Sequence, residues 1–187
     1  MSVLHLDPRE SLVLVVDVQE RLYAAMPELS GGDLARSGAA LLEGAKLLGA
    51  SAAVTEQYPE KLGPTLPVLA ERLSALSAPR FSKLDFSACK DPEVDAFLAK
   101  CDRKQVIVIG METHICVFQT VRDLVARGFA VHVPIDGVAS RRDDHRVTGL
   151  ELCRAAGATI TTTETILFDW LGRAGSDAFR KVSKLIK

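Results

Sequence analysis

The sequence predicts an α/β fold in which helices cover both faces of a mostly parallel, six-stranded sheet. Three observations lead there. Short runs of aliphatic and β-branched residues alternate with longer stretches of helical character, the pattern of successive βαβ units. The strongest runs, residues 12–16 and 106–109, are apolar throughout instead of alternating, as strands are when covered on both sides. No repeat, low-complexity tract or linker interrupts the 187 residues, so a single domain is expected over 1–187.

Residues 12–16 form the first strand, which closes at Asp17. A helix is expected over 33–48, ended by Gly49. Residues 52–55 read as the second strand and are followed by a Pro/Gly-punctuated loop over 56–67. A third, short strand falls over 79–82. Asp91 and Pro92 then open a helix, Asp as N-cap and Pro in the first helical position. Residues 106–110 are again strand, and the helix after them runs through Ala126, with Gly128 at its end. The last strands lie at 130–133 and 158–161, with a helix over 144–156 between them; a final helix spans 176–186. Right-handed crossovers stack these units into a three-layer αβα, Rossmann-like domain.

Composition removes several classes of function. The formal net charge is −1 and the basic residues are scattered, so neither nucleic acid nor an anionic membrane is expected as a partner. The densest cluster, Ser140 to Arg146, is mixed in sign and reads as a solvated helix start. No apolar run approaches the ~18–20 residues that span a bilayer. The first nine residues carry Asp7 and Pro8 and no basic-then-apolar pattern, so no signal peptide and a cytoplasmic location are expected. The four cysteines, Cys89, Cys101, Cys116 and Cys153, form no Cys-x-x-Cys pair and sit at no zinc-ligand spacing with the histidines. Reduced thiols, no metal and no cofactor are the expectation.

Sites in such folds lie beyond the carboxyl ends of the strands, at a topological switch point. Three residues qualify. Cys116 opens the helix after the 106–109 strand. That helix places Val117, Phe118, Val121, Leu124 and Val125 on one stripe, and Cys116 falls about 140° from its centre, away from the same core. A thiol at a helix N-terminus is expected to be shifted toward thiolate by the helix dipole; the alternative is a buried, inert cysteine. Asp17 follows five apolar residues and must be paired there: as a general base beside a nucleophile, or as the N-cap of a helix beginning near Val18. Lys83 follows the third strand, either as a charge partner for Asp17 or as a surface lysine. A nucleophile, a base and a cation at three strand ends is the layout of an activated thiol.

The ordered motifs resemble one family. Leu14-Val15-Val16-Asp17-Val18-Gln19, Phe81-Ser82-Lys83 with Phe86-Ser87, Gly110-Met111-Glu112-Thr113-His114-Ile115-Cys116-Val117 and Asp136-Gly137-Val138-Ala139-Ser140 resemble the successive signatures of the isochorismatase-like cysteine hydrolases over roughly residues 10–170. Thr55-Glu56-Gln57-Tyr58-Pro59, Leu62-Gly63-Pro64-Thr65 and Thr161-Thr162-Thr163-Glu164 are similar to the isochorismatase domain-containing proteins within that family.

The resemblance implies Cys116 as nucleophile, Asp17 as base and Lys83 as the cation that holds both. It also implies a cis peptide between Met111 and Glu112 that turns the Glu112 and Cys116 amides inward as an oxyanion hole, and a homo-oligomer. Zinc-dependent nicotinamidases of the family carry Asp-x-His and a later His after the second strand. This chain reads Glu56-Gln57-Tyr58-Pro59 there, with no histidine between His5 and His114. True isochorismatases lack the cysteine. The expected activity is therefore metal-independent hydrolysis of a small carboxamide or related acyl C–N bond through a Cys116 thioester. Gln57, Tyr58 and His114 are expected to line the pocket of this small-molecule substrate. The alternative is a catalytically idle oligomeric scaffold of the same fold; a redox-sensor role for Cys116 ranks lower, since the sequence shows no resolving cysteine.

Overall fold

Strand β1 (Ser11–Val16) is buried at every residue because its two faces serve two different cores. Val13 and Val15 point to one side; Leu12, Leu14 and Val16 point to the other, as the two-residue period of a strand requires. The computed structural model describes residues 4–186, so part of the leader reading and both ends of the 1–187 unit lie outside the described residues.

After β1 come a short helix α1 (Glu20–Tyr23), the long α2 (Glu28–Leu48), β2 (Ser51–Gln57), α3 (Pro59–Leu62), α4 (Pro67–Ala75) and β3 (Arg80–Lys83). The second half runs α5 (Pro92–Lys100), β4 (Gln105–Met111), α6 (Phe118–Ala126), β5 (Ala130–Pro134), β6 (Val138–Ala139), α7 (Asp143–Ala155), β7 (Thr159–Thr161), α8 (Thr163–Leu171) and α9 (Asp177–Leu185). The sheet order is β3-β2-β1-β4-β5-β7, with every pairing parallel; the two-residue β6 joins β4 at Gly110 and Met111 as a seventh strand. Helices α2, α4, α8 and α9 cover the face of Val13, Ile107 and Ile109, and α5, α6 and α7 cover the face of Leu14, Val106 and Val108. The α/β architecture and the six principal strands follow the sequence expectation.

Several elements differ from that expectation. Helix α2 starts at Glu28 instead of residue 33, and Gly49 ends it in the left-handed conformation as expected. The 56–67 stretch is not all loop: β2 continues to Gln57 and α3 follows. Helices α4 and α8 had no counterpart in the sequence reading. Only Leu69 and Leu73 of α4 are buried, too few to print a helical period. Helix α8 starts directly after the expected 158–161 strand, in a run of β-branched threonines, where Thr162 accepts from the Thr165 amide as N-cap.

The order of the strands creates the functional crevice. The chain steps outward from β1 through β2 to β3, then crosses back to lay β4 on the other side of β1. The gap between the carboxyl ends of β1 and β4 is a topological switch point. Gly110 makes the approach possible: a Cβ there would lie 2.0 Å from the Val16 carbonyl oxygen, so only glycine lets the two strand ends come this close.

Candidate active site

Asp17 is the first residue past β1, with φ 54°, and its amide donates to the Thr55 carbonyl of the neighbouring strand at 3.0 Å. It is fully buried. One carboxylate oxygen accepts from Thr55 Oγ1 at 2.8 Å and the other from Lys83 Nζ at 2.7 Å. The N-cap alternative does not hold, since the next helix begins at Glu20 with Gln19 as its N-cap residue.

Lys83 ends the edge strand β3 with its side chain turned inward and no exposure, so it is no surface lysine. Its ammonium also donates to Gln57 Oε1 at 2.7 Å and to the carbonyls of Asp85 and Phe86 at 3.1 and 3.2 Å. Four acceptors surround a group with three donors, an arrangement that only the protonated amine satisfies.

Cys116 sits in a wide π-type turn, Thr113–Val117, which intervenes between β4 and α6, so the cysteine precedes the regular helix rather than opening it. It is buried and lies close enough to Asp17 and Lys83 for their charges to shift its thiol in opposite directions. The structure thus brings Asp17, Lys83 and Cys116 to one point.

The electrostatics correct one expectation. Burial, and then the negative charge of Asp17, push the Cys116 thiol up to about 12, against the pull of Lys83. A resting thiolate is therefore not favoured; the helix dipole is outweighed by desolvation. Burial also raises Asp17 above the ordinary carboxylate value, although Lys83, Thr55 and Cys116 all oppose it. A buried base with a raised pKa is better matched to a thiol proton than an exposed aspartate would be.

The Met111–Glu112 peptide is cis. Burial disfavours the Glu112 carboxylate, but Arg141 outweighs it with its backbone N–H at 2.9 Å and its guanidinium at 3.0–3.1 Å, and the pKa of Glu112 ends below the usual range. Ser140 is completely buried; its Oγ accepts from the Thr113 amide at 3.1 Å and lies 3.1 Å from His114 Nδ1. The Ser140–Arg146 segment is therefore only partly a solvated helix start, because its first two residues grip the turn that carries Cys116.

The three pocket residues part ways. Gln57 is a ligand of Lys83, and its Nε2 donates to the Leu84 carbonyl at 2.7 Å. Tyr58 is half exposed and lines a cavity of about 520 Å³ whose wall also includes Lys83, Leu84, Asp85 and Asp91. His114 packs against His145 with ring centroids 4.6 Å apart and the rings tilted by 51°. Sequence reasoning assigned no role to Thr55, Gln19 or Arg141. Gln19 is buried and binds Gln57 through both its amide groups, with Oε1 accepting at 2.8 Å and Nε2 donating at 3.1 Å. The order of the motif residues along the chain carries no trace of these contacts. Glu56 is taken up by Thr65 and Arg80, and no cluster of three or more metal-ligating side chains occurs among the described residues. No helix among them is long and apolar enough to cross a membrane.

Comparison with known proteins places this geometry in a family. The isochorismatase domain model matches residues 11–165. Isochorismatase domain-containing protein 1 of Danio rerio is 35% identical over 184 residues, which is 98% of this chain and 63% of the fish protein, so the chain spans less than two thirds of that relative. The secreted isochorismatase effector Isc1 of Phytophthora sojae is 37% identical over 186 residues, covering 96% of this chain and 86% of that protein. The solved structure of the MAR1 ribonuclease from Caenorhabditis elegans superposes with a TM-score of 0.89 at 36% identity, covering 97% of this chain and 92% of that one. The chain belongs to the isochorismatase domain family.

Proposed function

We propose that the protein is a cysteine hydrolase that cleaves a small carboxamide, or a related acyl C–N bond, through a Cys116 thioester, without metal or cofactor. One observation carries the reading: the buried Cys116 thiol lies within the field of the same Asp17 carboxylate that accepts Lys83 Nζ at 2.7 Å, away from solvent.

The steps follow from those contacts. Asp17 takes the thiol proton as the sulfur attacks the substrate carbonyl carbon, so charge moves within the buried group and no free thiolate is needed. The amides of Thr113, Ile115 and Val117 are already committed to Ser140 and to the Glu112 carbonyl. We assign the developing oxyanion to the Glu112 and Cys116 amides. The C–N bond breaks as protonated Asp17 returns its proton to the leaving nitrogen. Water then attacks the thioester, its proton goes to Asp17, the C–S bond breaks, and the proton returns to sulfur. Lys83 remains charged throughout, since its donors are all occupied.

The name of the Caenorhabditis elegans neighbour suggests RNA as a substrate. This chain has a net charge of −1, and the Lys83 ammonium is enclosed by four acceptors; neither supplies the basic groove that tracks a phosphate backbone. We also propose a homo-oligomer, for which the exposed Leu84 and Phe86 beside Lys83 offer apolar surface.

A panel of carboxamides tests the reading, with an RNA substrate alongside. Hydrolysis of an amide that disappears in a folded Cys116→Ala variant, with a mass shift on Cys116 when turnover is quenched, is the expected result. Amide hydrolysis that survives Cys116→Ala would overturn it. RNA cleavage with no amide turnover would overturn it too, and inertness toward the whole panel would favour the scaffold alternative.

A further inference from the structure

We propose that Thr120 and Asp123, on the helix that follows Cys116, are positioning residues for Lys83. They anchor the Ser87–Cys89 turn and so hold the Asp85 and Phe86 carbonyls against the Lys83 ammonium. The inference rests on the Asp17–Lys83–Cys116 reading above and deepens it.

The two carbonyls belong to a bend whose own side chains anchor nothing: Leu84 is 73% exposed and Phe86 54%. Their position must be set from the two ends of the bend. At one end Gln57 Nε2 donates to the Leu84 carbonyl at 2.7 Å. At the other, Ser87, Ala88 and Cys89 are all buried and all fastened to α6, the helix after the Cys116 turn, or to its end. Ser87 Oγ donates to Asp123 Oδ2 at 2.7 Å. The Ala88 amide donates to Thr120 Oγ1 at 3.0 Å, and the Cys89 thiol approaches the Thr120 carbonyl at 3.9 Å. Arg127, just past the same helix, donates to the Cys89 carbonyl at 2.6 Å.

The consequence is mechanical. The helix that continues the Cys116 turn also fixes half of the acceptor cage around Lys83, so nucleophile and cation share one support. A hydroxyl at position 120 is needed because the Ala88 N–H is buried and must be accepted. A loosened bend leaves Lys83 with Asp17 and Gln57 alone, lets water reach the ammonium, and weakens its hold on the Asp17 charge.

The test uses the whole chain with Ser87→Ala, Thr120→Val and Thr120→Ser variants, read by NMR without any substrate. The Lys83 ammonium protons, assigned by their loss in Lys83→Met, report the cage through their exchange with water. The Asp17 carboxyl carbon reports the ammonium's pull through its pH titration. Ser87→Ala and Thr120→Val are expected to speed exchange and raise the Asp17 midpoint by up to about one pH unit, a tenfold change in protonated fraction. Thr120→Ser is expected to restore both. A lowered melting temperature with exchange and midpoint unchanged would make Thr120 and Ser87 structural only and overturn the proposal. Lys83→Met separates the two levels. If it leaves the Asp17 midpoint in place, the electrostatic reading of the triad fails. If it raises the midpoint while Ser87→Ala and Thr120→Val do not, only the positioning role fails.

Discussion

Lys83 Nζ lies 2.7 Å from Asp17 Oδ2 across 66 residues of sequence, with neither side chain exposed. A buried ion pair of this kind is costly to desolvate, and its value depends on further hydrogen bonds that satisfy both partners. Here Thr55 donates to the carboxylate, and Gln57, Asp85 and Phe86 complete the ammonium.

Breaking the pair is therefore expected to cost more than replacing it. Asp17→Asn or Lys83→Met alone should destabilise the fold by about 3–5 kcal/mol, while the double variant recovers much of that loss. Urea denaturation of the four proteins measures the cycle. Activity should not recover: Asp17→Asn removes the proton acceptor of the proposed mechanism, at an expected cost of roughly 10²–10⁴-fold in rate. Additive losses in the double variant would argue against a direct pair.

The pH dependence carries a sign. The proposed mechanism uses Asp17 as the carboxylate, and its pKa is raised, so kcat/KM should fall on the acid side at a higher pH than an ordinary aspartate would give. No thiol limb is expected below about 12. Stability runs the other way for the same group. Because the folded protein favours its protonated form, ionising Asp17 removes stability as pH rises from 3.8 to the folded value. Glu112 behaves oppositely: its contribution is present above 4.5 and is lost as pH falls through its lowered folded value. Arg141→Gln should blunt that acid-side loss, and chemical denaturation across the acid range checks it.

Alkylation should find the wrong cysteine first. Cys101 is partly exposed, whereas Cys89, Cys116 and Cys153 are buried and pushed up to about 11, 12 and 12. Native protein treated with iodoacetamide at neutral pH is expected to label Cys101, with Cys116 slower than free cysteine. A time course by peptide mass spectrometry reads both. Fast Cys116 labelling would mean that a thiolate exists before substrate arrives.

Helix α7 presses on the Cys116 turn through Gly149. An added Cβ would lie 2.7 Å from His114 N and from Thr113 C, both backbone atoms that cannot rotate away. Gly149→Ala is expected to shift the turn, costing about 1–3 kcal/mol. It should also lower kcat/KM at least about tenfold through misplacement of the nucleophile. Thermal denaturation and turnover, measured together, separate the two effects.

Some of this was legible along the chain. Val15-Val16-Asp17 shows a carboxylate at the end of a buried strand, and the Val106–Ile109 run followed by Cys116 shows a thiol at the same edge, because apolar runs and their ends are local features. The pairing of Lys83 with Asp17 was legible only as one of two options, since a lysine after a strand is more often at home in water. Gln57 was seen as a pocket residue and is a Lys83 ligand, because its side-chain direction depends on how β2 ends beside β3.

The sequence by itself determined the α/β class, the strand positions and the residue types gathered at the strand ends, because hydrophobic periodicity and turn chemistry act over a few residues. Tertiary structure alone decided which of those residues meet and in what protonation state they meet. Cys116 shows why: its thiol is held protonated by burial between the sheet and its covering helices and by the charge of Asp17, brought from 99 positions earlier as the numbering shows. Desolvation and Coulomb forces depend on distance in space, which sequence order does not record.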